Sequence, residues 1–323
     1  MKITRRAAVD ISLLILVNTM WAAQYAAYRV ATEKMGPITV SAWAFLLASL
    51  VLLPFLGWER RSARRLGSEP AQPGRQTEDK SGSRWSTRNA FGFLMISVLG
   101  LIPGSMLLAW GVERSTASNA AIIYLTMPVM TALLASMILG EKMSSLRWGS
   151  LGISLAGVLV LSAADLRQLQ LLRGRFLLGN VLVLLACLGS SFYNVYCKEL
   201  LKRFTLLEVL IYGYTLAFLA SLLLMPWAEP FSWSSLHAYS TATWVALIAL
   251  SVFSWGLAMV LWMFLLKRLD VSQASVSIYL LPFLGVLISA LTLKERITPV
   301  MIVGGLLTLA GTVLITSLEP TSA

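Results

Sequence analysis

The sequence predicts an all-α polytopic membrane protein, with ten transmembrane helices arranged as two inverted five-helix repeats. Three observations predict it. The 323 residues are 57% apolar and only 13% charged, with a mean hydropathy of +0.76; soluble domains carry about a quarter charged residues. The apolar residues gather into ten helix-length runs. Two stretches of the chain also repeat each other at a fixed spacing.

The runs fall at about 9–30, 38–57, 90–112, 119–139, 146–163, 175–197, 207–227, 242–266, 273–293 and 298–317. Each approaches the roughly 20 residues of a spanning helix, and each is flanked by charge, Gly or Pro. Length makes them helices, because a continuous apolar run is ambiguous by pattern alone. The alternating segments of a membrane barrel are not seen. The first run follows Met1-Lys-Ile-Thr-Arg-Arg and lacks a small-residue cleavage pattern, so a retained span is expected. Residues 58–89 are the one long polar segment, a linker composition that buries no core. Its arginines suit topology setting or anionic headgroups. Cys187 and Cys197 are too far apart along one helix, roughly 15 Å, to form a disulfide with each other.

Charge sets the orientation. With the N-terminus inside, the inner segments hold eighteen of the 26 Lys and Arg residues and the outer segments eight. Cytoplasmic loops collect such residues, which predicts both termini in the cytoplasm of a cell inner membrane. Arg167, Arg173 and Arg175 run against the rule. The net charge of +11 is therefore read as topology and not as nucleic-acid binding.

The repeat appears on sliding the chain by 154 residues. Ser118 through Pro128 then falls on Ser272 through Pro282, Glu141-Lys142 on Glu295-Arg296, and Ala156-Gly157 on Ala310-Gly311. The first two spans of each copy align near 169, so that Trp21 meets Ser190, Tyr25 meets Asn194 and Arg29 meets Lys198. The long 58–89 loop absorbs the surplus. This divides the chain into 1–163 and 164–323, with five spans each. Five is odd, so the copies enter the membrane in opposite senses. Such an arrangement places a transporter's site near the midplane, where the halves meet.

At these residues the chain resembles the EamA-type branch of the drug/metabolite transporter superfamily. The resembling pieces are Trp21-Ala-Ala-Gln24-Tyr25 with Arg29, Ala120 through Pro128 to Gly140-Glu141-Lys142, Ala156-Gly157, and the second copy of these. The family often has Trp-Gly and Asn where this chain has Trp21-Ala22 and Gln24, and an Arg where it has Trp43. The resemblance implies ten helices, cytoplasmic ends, and transport of small metabolites, often outward.

Polar and aromatic side chains within spans point to a cavity or a helix contact. In the first span Asn18, Trp21, Tyr25 and Tyr28 share one face, bordered by Gln24; in the sixth, Cys187, Ser190, Asn194 and Cys197 do so beside Tyr193. The expected substrate site is Trp21, Gln24, Tyr25, Tyr124, Ser190, Tyr193, Asn194 and Tyr279, with Trp110, Trp255 and Trp262 as further candidates. Pro128 and Pro282 sit mid-span and bend their helices, so they are hinge candidates. Glu113, Glu141, Asp270 and Glu295 are gate or coupling candidates.

No ionisable residue occupies the middle of any span, and the sequence has neither metal-ligand spacing nor a nucleophile triad nor a phosphate loop. The expectation is a transporter and not an enzyme, with no cofactor or metal, and with membrane lipids and a small-molecule substrate as partners. An exporter of amino acids or related zwitterionic or neutral compounds is favoured. A flippase of lipid-linked substrates on the same fold, or a non-transporting scaffold or receptor, are the alternatives.

Overall fold

In the computed structural model the expected spans form helices. The structure describes residues 5–65, 86–115, 117–162, 174–229, 239–293 and 299–318; of these, the side chains of Tyr25, Ala26, Arg29, 63–65, 117–118, Ala228 and 289–293 fall outside the description. Helix α1 is Arg5–Thr32, α2 Pro37–Arg65, α3 Thr87–Glu113, and α4 Ala117–Tyr124 continued as Met127–Leu139. Helix α5 is Ser145–Leu161, α6 Gly174–Leu201, α7 Leu206–Ala228 and α8 Thr241–Leu266. Helix α9 begins as Val271–Val276 and passes through a 3-10 turn into Leu280–Leu293; α10 is Pro299–Leu318. Among the described residues nine helices are long and apolar enough to cross a membrane, and α5 is a shorter apolar helix of 17 residues. No strand occurs among them.

One boundary corrects the sequence reading. Helix α2 runs on through Trp58 to Arg65, into the segment read as linker. Glu and Arg favour helix, and Arg60 on this extra length donates to Glu208 Oε1 (3.0 Å) and to the Tyr212 hydroxyl (2.7 Å) on α7. Residues 66–85 lie outside the described residues. Starts are marked by polar caps that accept otherwise orphaned backbone N–H groups: Ser86 for α3, Ser144 for α5, Thr205 for α7 and Ser240 for α8.

The inverted repeat is visible in the packing. Helix α6 lies on α3 and α4; its repeat equivalent α1 lies on α8 and α9. Three pairs of repeat-equivalent residues touch one another and so mark the axis relating the copies. Phe45 stacks on Tyr214 with ring centroids 5.5 Å apart, joining α2 to α7. The Tyr279 hydroxyl donates to the Leu125 carbonyl (2.9 Å), joining α9 to α4. Ser154 Oγ donates to the Thr308 carbonyl (3.3 Å), joining α5 to α10.

The last pair packs backbone to backbone through small residues, as apposed helices in lipid do. A Cβ on Gly157 would lie 2.7 Å from the Gly304 carbonyl, and one on Gly304 would lie 2.7 Å from that of Gly157. Two π-helical segments, Ile96–Leu101 in α3 and Leu250–Ala258 in α8, also start 154 residues apart. Large apolar side chains such as Leu178, Leu223, Trp227 and Val245 point outward, a surface suited to lipid and not to water. The chain is a multi-pass membrane protein.

Candidate functional site

Among the described residues, two of the polar clusters contain residues expected for the site or gate. The first is mid-bundle, where α1, α6 and α8 meet. Trp262 of α8 is fully buried. Its indole N–H donates to Asn194 Oδ1 on α6 (3.0 Å), and the half-buried Trp21 ring on α1 lies against it, with centroids 5.1 Å apart and planes tilted by 58°. The chain Trp21–Trp262–Asn194 therefore bridges the two copies. Because Trp262 occupies the Asn194 carbonyl, the amide N–H₂ is the end left to face other groups. One turn further toward the C-terminal end of α1, Gln24 is half-buried.

The crossing of α4 and α9 lies beside it. Pro128 cannot donate a backbone N–H, and α4 is broken at Leu125 and Thr126 immediately before it. Tyr279 uses the Leu125 carbonyl exposed by that break. Pro282 follows the matching 3-10 turn Ser277–Tyr279 in α9. On α1, Asn18 donates to the Leu14 carbonyl (2.8 Å) and to Ser277 Oγ of α9 (3.0 Å).

The second place is the end of the bundle that carries most of the basic residues. Gly140 ends α4 in the left-handed conformation, φ 70°, which suits glycine. It turns Glu141 onto the start of α9. Glu141 Oε1 accepts from Val271 N (2.7 Å), and Oε2 accepts from Ser272 N (3.0 Å) and Ser272 Oγ (2.6 Å). A carboxylate on the first N–H groups of a helix meets both its orphan donors and its dipole. Arg147 of α5, 1% exposed, donates to Ser272 Oγ (2.8 Å) and pairs with Asp270, the residue that precedes α9. Lys198 of α6 donates to the Leu269 carbonyl (2.8 Å), Asp270 Oδ1 (3.2 Å) and Glu141 Oε1 (3.4 Å).

At the opposite end, Glu229 repeats the Glu141 device at the tip of α7. It accepts from Ile38 N (2.6 Å), Thr39 N (3.0 Å) and Thr39 Oγ1 (2.8 Å) at the start of α2.

A model described as the EamA-like transporter family matches residues 9–163 and again 177–317. The chain belongs to the EamA-like transporter family. Over 94% of its length this EamA-like chain is 25% identical to an uncharacterized transporter of Archaeoglobus fulgidus, covering 96% of that protein. It is 26% identical over the same share to a probable terminal-alkyne amino-acid exporter of Streptantibioticus cattleyicolor, covering 91% of that protein. A crystal structure 18% identical in sequence superposes with a TM-score of 0.71 over 96% of both chains, a likeness of fold.

Within this EamA-like fold the expected site residues take different places. Trp21 and Asn194 come together through Trp262, and Gln24 lies beside them on α1. Tyr124 is half-buried at the break in α4. Ser190 and Tyr193 pack on α3: a Cβ on Gly104 would meet Ser190 Oγ at 2.7 Å, and one on Gly100 would meet Tyr193 Cβ at 2.8 Å. Tyr279 is 1% exposed, and its hydroxyl is engaged by α4. The Tyr25 side chain and Glu295 lie outside the described residues.

Of the gate candidates, Glu141 and Asp270 share one cluster, whereas Glu113 is exposed beside Arg114 at 3.4 Å. Arg147, Lys198 and Ser272 went unrecognised as functional groups in the sequence. The available signal was the match of Lys198 to Arg29 and its position one helical turn after Asn194.

Proposed function

We propose that this chain is an inner-membrane secondary transporter, with both termini cytoplasmic, that exports amino acids or related neutral or zwitterionic compounds by alternating access. The observation that carries the reading is the neutral bridge Trp21–Trp262–Asn194, which spans both copies and offers two indole rings and one amide. A cation taken out of water would call for a carboxylate there. Ring faces alone attract a cation by about 0.5–2 kcal/mol, too little to replace hydration.

A zwitterion fits better. Its carboxylate meets the Asn194 N–H₂, its ammonium rests on the Trp21 face, and its apolar part stacks beside the rings. The printed name of the Streptantibioticus relative, an amino-acid exporter, supports the same class. The basic end is assigned to the cytoplasm by the Lys and Arg distribution, and Pro128 and Pro282 are assigned as the bends about which the helices rock.

The test compares amino acids and related metabolites released and retained by cells with and without the protein. Increased release of a neutral or zwitterionic amino compound, lost on combining Trp21→Ala with Asn194→Ala, is expected. Unchanged release across that class contradicts the reading.

A further inference from the structure

The buried cluster at the basic end divides its charges evenly between the two helix groups that meet there. By packing, α3, α4 and α6 form one group and α1, α8 and α9 the other, on which α5 and α10 lie; α2 and α7 pack chiefly on each other between the two. Glu141 and Lys198 belong to the first group, and Asp270 and Arg147 to the second. Each group thus carries one anion and one cation. Inside the groups Lys198 pairs with Glu141 (3.4 Å) and Arg147 pairs with Asp270. Across the seam run the Glu141 bonds to Val271 and Ser272, the Lys198 bonds to Leu269 and Asp270, and a longer Arg147–Glu141 ion pair (3.8 Å).

We infer that these four side chains are the inner gate of transport, and that it opens by neutral separation. The seam bonds break, the two in-group pairs persist, and no charge is left alone. This rests on the alternating-access reading above. Its physical basis is that stripping a buried charge of its partner is strongly unfavourable, whereas a split into two neutral pairs avoids that cost. Opening then requires no proton, so this gate does not couple transport to protons, and exchange or downhill flow follows.

The gate also belongs to one end of the chain. The repeat equivalents of Arg147 and Asp270 are Met301 and Thr116, so the other copy lacks this ion pair. The closed inner face is the state the cluster favours. Lys198 lies one helical turn beyond Asn194, which joins the gate to the mid-bundle bridge along one helix.

The experiment measures the spacing between spin labels at the exposed positions Ser145→Cys and Lys202→Cys, with Cys187 and Cys197 replaced by Ser, in the full chain in nanodiscs without substrate. Two double variants of equal net charge are compared. Arg147→Gln with Asp270→Asn removes an in-group pair and weakens the seam, so the longer-distance population is expected to rise about tenfold. Lys198→Gln with Asp270→Asn leaves Glu141 and Arg147 on opposite groups, so opening would strand both charges. Its longer population is expected to fall by on the order of a hundredfold.

Equal widening in both, no change in either, or the reverse order overturns the inference. Should either double variant fail to fold, Ser272→Ala cuts seam bonds without touching a charge and is expected to widen the distribution; an unchanged distribution overturns it. The readout uses no substrate, so failure of amino-acid export with this ordering intact rejects the substrate reading alone.

Discussion

At the scale of single residues, the mid-bundle bridge depends on what each atom of Trp262 and Asn194 does. Trp262→Phe keeps a ring against Trp21 but loses the N–H donated to Asn194. A neutral hydrogen bond contributes about 0.5–1.5 kcal/mol net, so substrate affinity in binding assays is expected to weaken a few-fold. Trp262→Ala also removes an aromatic pair of about 0.5–1.5 kcal/mol and is expected to weaken it further. Equal affinities in the two variants would separate the bridge from substrate. Trp21 and Asn194 were legible in the sequence because polar and aromatic groups stand out in apolar runs. Arg147 and Lys198 were not, because a count of basic residues treats a buried partner and a solvated loop charge alike. Their partners lie 123 and 72 residues away for Asp270, and 57 away for Lys198 with Glu141, and no local pattern records such pairings.

At the scale of elements, the α5–α10 seam and the two kinked helices give separate tests. Gly157→Val or Gly304→Val places carbon against a facing carbonyl and is expected to cost about 1–3 kcal/mol, read as a lower thermal midpoint in detergent. Gly152, with nothing within 4 Å of its would-be Cβ, accepts Ala with no loss, and helix propensity favours the change. A midpoint lowered equally by all three substitutions would contradict the seam. Pro128→Ala and Pro282→Ala are expected to leave the fold intact and slow transport; unchanged turnover in both single variants and the double variant would leave the prolines as static bends. The matched prolines and glycines were readable because few residue types can replace them. The π segments were not readable, since Ile96–Leu101 and Leu250–Ala258 differ from ordinary helix in hydrogen-bond register and not in residue type. The extension of α2 to Arg65 was hidden for a related reason: Arg60 looks like linker until Glu208 and Tyr212 of α7 are placed beside it.

At the scale of the whole molecule, the inverted repeat was legible because one shift aligned Pro, Glu and Gly together, and the touching pairs Phe45–Tyr214, Leu125–Tyr279 and Ser154–Thr308 are its consequence in space. Orientation in the membrane is testable on the exposed Ser145 and Glu33, which lie at opposite ends of the bundle. Cysteines placed there, in a chain lacking Cys187 and Cys197, are expected to label from the cytoplasmic and external sides respectively; labelling of Ser145→Cys from outside would reverse the assignment. In the proposed transport cycle a neutral bridge shared by both copies carries a zwitterion across the membrane. Counterflow in proteoliposomes tests it most directly, with purified protein, vesicles preloaded with one unlabelled solute, and uptake followed for labelled neutral amino acids and for permanent organic cations. Exchange of zwitterionic amino acids with an apolar or aromatic part, abolished by Trp21→Ala with Asn194→Ala, is the expected result; preferential exchange of the cations would contradict zwitterion transport by the bridge.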